Sequence, residues 1–347
     1  MPRNGKLVRI TLALAAAGLV AALAVVTAGA ASARSSSGTV NGAGSTFVAP
    51  LVTKWESAIQ SALGITLNYN GIGSTGGVAA ITNKQVDFGA SDAPLSQFNP
   101  TCNSCVQIPW ALAATGVIYN LSGLQHLRMT GPVLAQIYMG SIKTWDAPAI
   151  KALNPGIDLP SESIVPVYRS DGSGSSYALT DYLSAVSASW KSSIGVSTQP
   201  AFKNGVGAKG SSGVAGVVKN TEGAIGYADI AFAITNKIPT MAVKNAAGKF
   251  ITPGIVSIKA ASSAFNKVPA NNEMHIVNPP KSARAAYPIC TYTYVIVPQV
   301  TAKAALLKKF IFYALTLGQK FGIPLRYVPI PKAVLVSSEK TLAKVHS

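Results

Sequence analysis

The sequence predicts an α/β protein built from two domains, and three observations lead there. Short β-rich runs alternate with helical stretches, the pattern of strand–helix units rather than of an all-β or all-α chain. The 347-residue chain, less an N-terminal export leader, is long for a single hydrophobic core. No Pro/Gly/Ser-rich linker separates two halves. The domains are therefore expected to be joined by several short crossings, with each half assembled from discontinuous pieces.

The leader comes first. Arg3, Lys6 and Arg9 form a basic start, residues 10–26 an uncharged apolar run, and Ala31-Ser32-Ala33 an A-x-A-type cleavage site. Residues 1–33 are read as a cleaved signal peptide. A retained anchor is the alternative, because the run sits at the lower edge of bilayer-spanning length. There is no cysteine at the cleavage site to carry a lipid, and no later segment reaches transmembrane length. A periplasmic or secreted protein is expected.

Strands are expected at 66–70, 107–121 and 164–169, and helices at 47–63, 131–139, 175–186 and 302–317. The strand-like runs at 110–119 and 288–297 are the candidate crossings between domains. The net charge of +17 reflects scarcity of acid, with 12 Asp and Glu in all. Its basic residues are scattered and form no Lys/Arg-rich run, which argues against a nucleic-acid partner. A chain poor in carboxylates suits an acidic medium, because it has few groups whose protonation drives acid unfolding.

Cys102 and Cys105 form a C-x-x-C. A redox pair or half a zinc site is conceivable for such spacing. No second C-x-x-C follows, and His126, His275 and His346 are scattered. A local disulfide in an oxidising compartment is the simpler reading. Cys290, in an apolar strand-like stretch, is expected to be a buried free thiol. No metal site is expected.

Three polar turns carry the functional signal. Gly42-Ala43-Gly44-Ser45-Thr46-Phe47, Gly71-Ile72-Gly73-Ser74-Thr75-Gly76-Gly77 and Asp171-Gly172-Ser173-Gly174-Ser175-Ser176 each place glycines and hydroxyls just before a helical run. The first N–H groups of a helix lack internal partners, and the macrodipole makes that end positive. Glycine lets backbone approach a ligand, and Ser and Thr add donors, so such an end accepts anions. Simple capping explains any one of these turns. Three in one chain, one of them beside Arg169, point to a shared oxyanion. A guanidinium is its natural bidentate partner, and Asp171 is placed to hold Arg169. Asp92, before Pro94, is either a turn former or a polar group of the site.

At these residues the chain resembles the phosphate-binding proteins of high-affinity phosphate ABC importers. The matching stretches are the three turns, Val86-Asp87-Phe88-Gly89-Ala90-Ser91-Asp92-Ala93-Pro94-Leu95, and Arg169 ahead of the third turn. Weaker similarity runs through Lys143-Thr144-Trp145 and Gly223-Ala224-Ile225-Gly226-Tyr227, so it spans most of the mature chain. The resemblance implies a two-lobed periplasmic binding protein fold with the cleft between lobes. One lobe would comprise 34–117 and 288–347, the other 118–287. It implies that Thr46, Phe47, Ser74, Asp92, Arg169, Ser173, Gly174 and Ser175 bind phosphate, with Asp171 bracing Arg169 and Asp92 accepting the proton that phosphate carries. It further implies a monomer without cofactor that serves permease subunits and their cytoplasmic ATPase. Residues 256–286 and the C-x-x-C loop depart from the family pattern, which leaves the edge of the second lobe open.

Other readings compete. Gly71-Ile72-Gly73-Ser74-Thr75-Gly76 also fits G-x-G-x-x-G, with Asp92 about 20 residues further on, as in dinucleotide-binding enzymes. A lone fingerprint in an exported chain is weak support. A secreted phosphatase needs a nucleophile with a base, or metal ligands, and neither G-x-S-x-G nor H-E-x-x-H is present. A binder of sulfate or molybdate is the nearest rival.

Overall fold

The computed structural model describes residues 38–265 and 267–347; the expected leader lies outside them. The strands are β1 (Gly38–Gly44), β2 (Ile65–Gly71), β3 (Phe88–Ser91), β4 (Cys105–Tyr119), β5 (Arg128–Met129), β6 (Val165–Arg169), β7 (Val206–Ala208), β8 (Ala224–Asp229), β9 (Ala242–Lys244), β10 (Phe250–Ile251) and β11 (Cys290–Pro298). The helices are α1 (Ala49–Leu63), α2 (Ser74–Thr82), α3 (Gly131–Tyr138), α4 (Pro148–Lys151), α5 (Gly174–Val186), α6 (Ala188–Ser193), α7 (Gly210–Asn220), α8 (Ile230–Asn236), α9 (Ile255–Ser263), α10 (Ala304–Leu315) and α11 (Lys332–Ala343). The elements expected from sequence are present with ends shifted by a residue or two. Helix α1 starts at Ala49 rather than at 47, with Pro50 in its first turn, where a missing N–H costs nothing.

Eight strands form one sheet in the order β2-β1-β3-β11-β4-β8-β6-β7, and β10-β9-β5 form a smaller one. Strands β1, β2 and β3 are parallel to one another, as are β6, β7 and β8. Strand β4 joins the two triplets. It pairs with β11 over residues 105–114 and with β8 over residues 115–119, antiparallel in both cases. One long, almost wholly buried apolar strand thus pairs with β11 along its first part and with β8 along its last. In a parallel α/β sheet, the loops past the carboxyl ends of the strands form the ligand crevice. Two parallel triplets present six such ends.

One continuous core runs through both halves, with a smaller cluster around Val214 and Val218. Trp55, Trp110, Phe88 and Phe310 cluster on the β1 side, with Trp55 and Trp110 rings 5.0 Å apart. Trp145 and Trp190 are buried in the other half. The four indole N–H groups all find acceptors: Gly318, Thr293, Gly223 and Gly195, in chain order of the tryptophans. Burying them therefore gains apolar area without stranding a donor. The segment after α9 reaches back to the first half. Gln107 Nε2 donates to the Asn271 carbonyl, and Asn272 Nδ2 donates to the Gln107 carbonyl and to Thr341 Oγ1.

Cys102 and Cys105 are disulfide-bonded at the start of β4, and Cys290 is buried without a disulfide. Burial raises the Cys290 thiol far above its ordinary range. Thiol labelling of denatured, unreduced protein is expected to modify Cys290 alone. Labelling of all three cysteines is the contrary result. Because so short a loop removes little chain entropy, reduction should lower stability less than a long-range bridge would.

Candidate functional site

The strand ends determine the site. Ser45, Thr46 and Phe47 follow β1, Ser74 follows β2 and Asp92 follows β3. Arg169 ends β6, residues 171–175 lead into α5, Ser211 follows β7, and Asp229 ends β8. Residues from both triplets meet there. The Gly174 N–H donates to Ser74 Oγ at 3.0 Å, and the Thr75 N–H to the Gly172 carbonyl at 3.3 Å. The Ser211 N–H donates to Thr46 Oγ1 at 3.1 Å.

Close approach here depends on glycine at two positions. Gly73 has φ of 87°, and a Cβ on it would lie 2.4 Å from Asp171 Oδ2. A Cβ on Gly174 would lie 2.4 Å from the Asp92 Cβ. Any larger residue at either place holds the two halves apart.

Capping explains one turn and not the other two. Ser173 caps α5, its Oγ accepting from the Ser175 and Ser176 N–H groups. Helices α1 and α2 have no side-chain cap. Ser175 Oγ and Thr75 Oγ1 are buried with no partner in the protein. An unpaired buried hydroxyl costs about 1–3 kcal/mol, so these groups fit a cleft whose bonding is completed by a bound polar molecule.

Arg169, 3% exposed, is the cation of the cleft. Its Nε and Nη2 donate to the two oxygens of Asp171 at 2.7 and 2.5 Å, and Nη1 reaches Ser211 Oγ at 3.4 Å. Asp171 also accepts the Gly210 N–H at 2.9 Å. Burial pushes the Asp171 carboxyl up, but the guanidinium and this N–H outweigh it and hold it below the usual range. The pair fixes the guanidinium plane, with Nη1 turned toward Ser211 Oγ.

Asp92 faces this group from the other triplet, 2% exposed. Ser45 Oγ donates to its Oδ1 at 2.5 Å, and Ser74 Oγ lies 3.4 Å from Oδ2. Burial raises its carboxyl to about 6, against the opposing pull of Ser45, Arg169, Thr293 and Ser74. The Phe47 N–H, expected to face a ligand, donates here to Ser45 Oγ at 3.0 Å.

Ser45, Ser211, Asp229 and Tyr327 join the site beyond the residues expected from sequence. Gly210-Ser211-Ser212-Gly213, the first turn of α7, repeats the glycine–hydroxyl design and was legible in principle. Nothing local marks Tyr327, whose hydroxyl meets the Phe47 carbonyl and Asp229 across 280 and 98 residues of chain. The disulfide lies apart, at the start of β4. Among the described residues, no group of three or more His, Cys, Asp or Glu is placed to hold a metal.

The fold and this cleft together are those of a two-lobed binding protein, and the family model of the PBP superfamily domain matches residues 29–316. The phosphate-binding protein PstS of Xylella fastidiosa (strain Temecula1) is 38% identical over 297 residues, covering 84% of this chain and 81% of that protein. Its namesake in Haemophilus influenzae is 34% identical, covering 85% of this chain and 90% of the relative. A high-affinity periplasmic phosphate-binding protein (PfluDING), solved with phosphate, superposes with a TM-score of 0.71 at 23% identity over 87% of this chain and 93% of that one. The chain belongs to the PstS family of phosphate-binding proteins.

Proposed function

We propose that this chain captures inorganic phosphate outside the cytoplasmic membrane and delivers it to an ABC importer. The observation that carries the reading is the pairing of opposites in one closed cleft. A buried guanidinium and unpaired hydroxyls stand opposite one buried carboxylate. Donors alone suit any oxyanion, whereas an added acceptor suits an anion that still carries a proton. In this reading Arg169 and the N–H groups and hydroxyls of Thr46, Phe47, Ser74, Ser173, Gly174 and Ser175 hold the phosphate oxygens. Asp171 orients Arg169, and Asp92 takes the phosphate proton. For Phe47, Gly174 and Ser175, the N–H must leave Ser45, Ser74 and Ser173, respectively, when phosphate enters.

The lobes are 34–117 with 288–347, and 118–287, and β4 is the principal hinge. The bond from Asn272 Nδ2 to Thr341 Oγ1 adds a contact between the lobes outside the hinge. Phosphate passes to permease subunits driven by a cytoplasmic ATPase, and the protein acts as a monomer without cofactor. The relatives are named as binding proteins, and Ser45 and Ser74 bond to a carboxylate rather than to a histidine base, so catalysis is not assigned.

Titration of phosphate-free protein with phosphate, sulfate and molybdate tests the ligand, with phosphate expected to bind far the most tightly. Preference for sulfate or molybdate, or turnover of a phosphate ester, replaces this reading. Binding should also close the cleft, because the ligand groups come from both halves. Small-angle scattering is expected to show a smaller radius of gyration with phosphate. An unchanged radius at saturation argues for a permanently closed site.

A further inference from the structure

Asp229 is fully buried at the end of β8. Its Oδ1 accepts the Ala231 N–H at 2.7 Å, which caps α8. Its Oδ2 lies 2.5 Å from the Tyr327 hydroxyl, and that hydroxyl is also in hydrogen-bond contact with the Phe47 carbonyl. The Phe47 carbonyl stands outside the α1 ladder, since the first helical N–H groups, those of Leu51 and Val52, go to Val48.

Counting protons decides the chemistry. A carbonyl oxygen only accepts, and a tyrosine hydroxyl has one proton to give. Both contacts are hydrogen bonds only when the second proton sits on Asp229. With Asp229 ionised, Tyr327 donates to it, and the Phe47 carbonyl is left buried against an oxygen lone pair. Charge counting agrees. The charged and titratable groups acting on Asp229 are Tyr327 and Asp92. Thr115, opposite it on β4, and Ala231 on α8 are neutral. The cation of the cleft, Arg169, is already paired with Asp171. Burial first, and the Asp92 charge in addition, hold the Asp229 carboxyl well above the usual range, although Tyr327 and Ala231 pull the other way.

We propose that Asp229 is a neutral positioning residue of the anion site: it donates to Tyr327, Tyr327 donates to the Phe47 carbonyl, and this relay ties the end of β8 to the turn after β1 in the closed state. The inference rests on the phosphate reading for its functional consequence. Opening lets water reach Asp229 and take its proton, so closure on phosphate is coupled to proton uptake. The sign follows from linkage. A carboxyl that holds its proton more tightly when closed favours closure below its open-state pKa. That support is lost as pH rises through the closed-state pKa. On the alkaline side, this one group weakens phosphate binding by up to about tenfold per pH unit.

The test uses mature, phosphate-free protein and Asp229→Asn, whose amide still donates to Tyr327 and cannot ionise. Phosphate binding is followed by calorimetry across pH, in buffers of different ionisation enthalpy, to count protons. Wild type is expected to take up more protons than the variant above neutrality and to show an alkaline loss of affinity that the variant lacks. Titration of phosphate is common to both proteins and cancels, and Asp92 sees a neutral group at position 229 in both as long as Asp229 keeps its proton. Equal proton uptake with parallel profiles overturns the proposal. Infrared spectroscopy of closed wild type provides an arm independent of the variant's folding. A protonated-carboxyl band is expected at neutral pH, and its absence overturns the proposal. If wild type binds no phosphate, the ligand assignment fails, while the infrared band still decides the protonation of Asp229.

Discussion

Arg169→Met is expected to weaken phosphate binding by about 2–5 kcal/mol, the usual cost of removing one partner of a buried, hydrogen-bonded charge pair. Two terms add. The anion loses the cation that Asp171 holds in place, and Asp171 is left ionised beside it. Arg169→Lys should recover part of the loss, because an ammonium restores charge but not the fork that meets both Asp171 oxygens and the cleft. Calorimetry on phosphate-free protein reads both. Near-native affinity in Arg169→Met places the anion elsewhere.

Asp92→Asn should relax the exclusion of sulfate while keeping measurable phosphate binding. Sulfate and phosphate share a shape and differ near neutral pH in the proton that phosphate retains. An ionised carboxylate accepts only. Against sulfate it sets charge against charge with no proton between them, at low effective dielectric. The amide donates to a bare oxygen and also accepts, so it tolerates either anion. The same logic gives a pH dependence in wild type. With the carboxyl held at about 6 in the unliganded cleft, acidification through that value protonates Asp92, and sulfate exclusion should weaken there. A ratio of the two affinities unmoved by the mutation refutes this role for Asp92.

Asp92 also affects stability, with a definite sign. Its folded pKa lies above the unfolded value, so its contribution is complete below the ordinary carboxylate range and is lost as pH rises through about 6. At neutral pH the ionised form costs the unliganded fold roughly 3 kcal/mol. Asp92→Asn should therefore raise the melting temperature of phosphate-free protein near neutrality, unlike most substitutions of a buried polar residue.

The sequence by itself determined the parts with local causes. Alternating strands and helices gave the α/β class, because apolar periodicity and turn residues act over a few positions. Glycine–hydroxyl turns gave the anion-accepting strand ends for the same reason. Arg169 and Asp171 sit two residues apart, so their pairing is legible from spacing. The tertiary structure alone decided what meets across the cleft. Whether a Ser/Thr/Gly turn caps its own helix or faces a ligand depends on what stands opposite, and only packing showed Ser173 capping while Ser175 Oγ stays unpaired. The Ser45–Asp92 contact spans 47 residues and Tyr327–Phe47 spans 280. No local propensity encodes such pairs. They form because sheet pairing sets β1 beside β3 and the fold lays Tyr327 against the turn after β1, where it also meets Asp229 from the other triplet. Burial there shifts Asp92 and Asp229 upward, and desolvation is a property of the assembled fold rather than of any stretch of sequence.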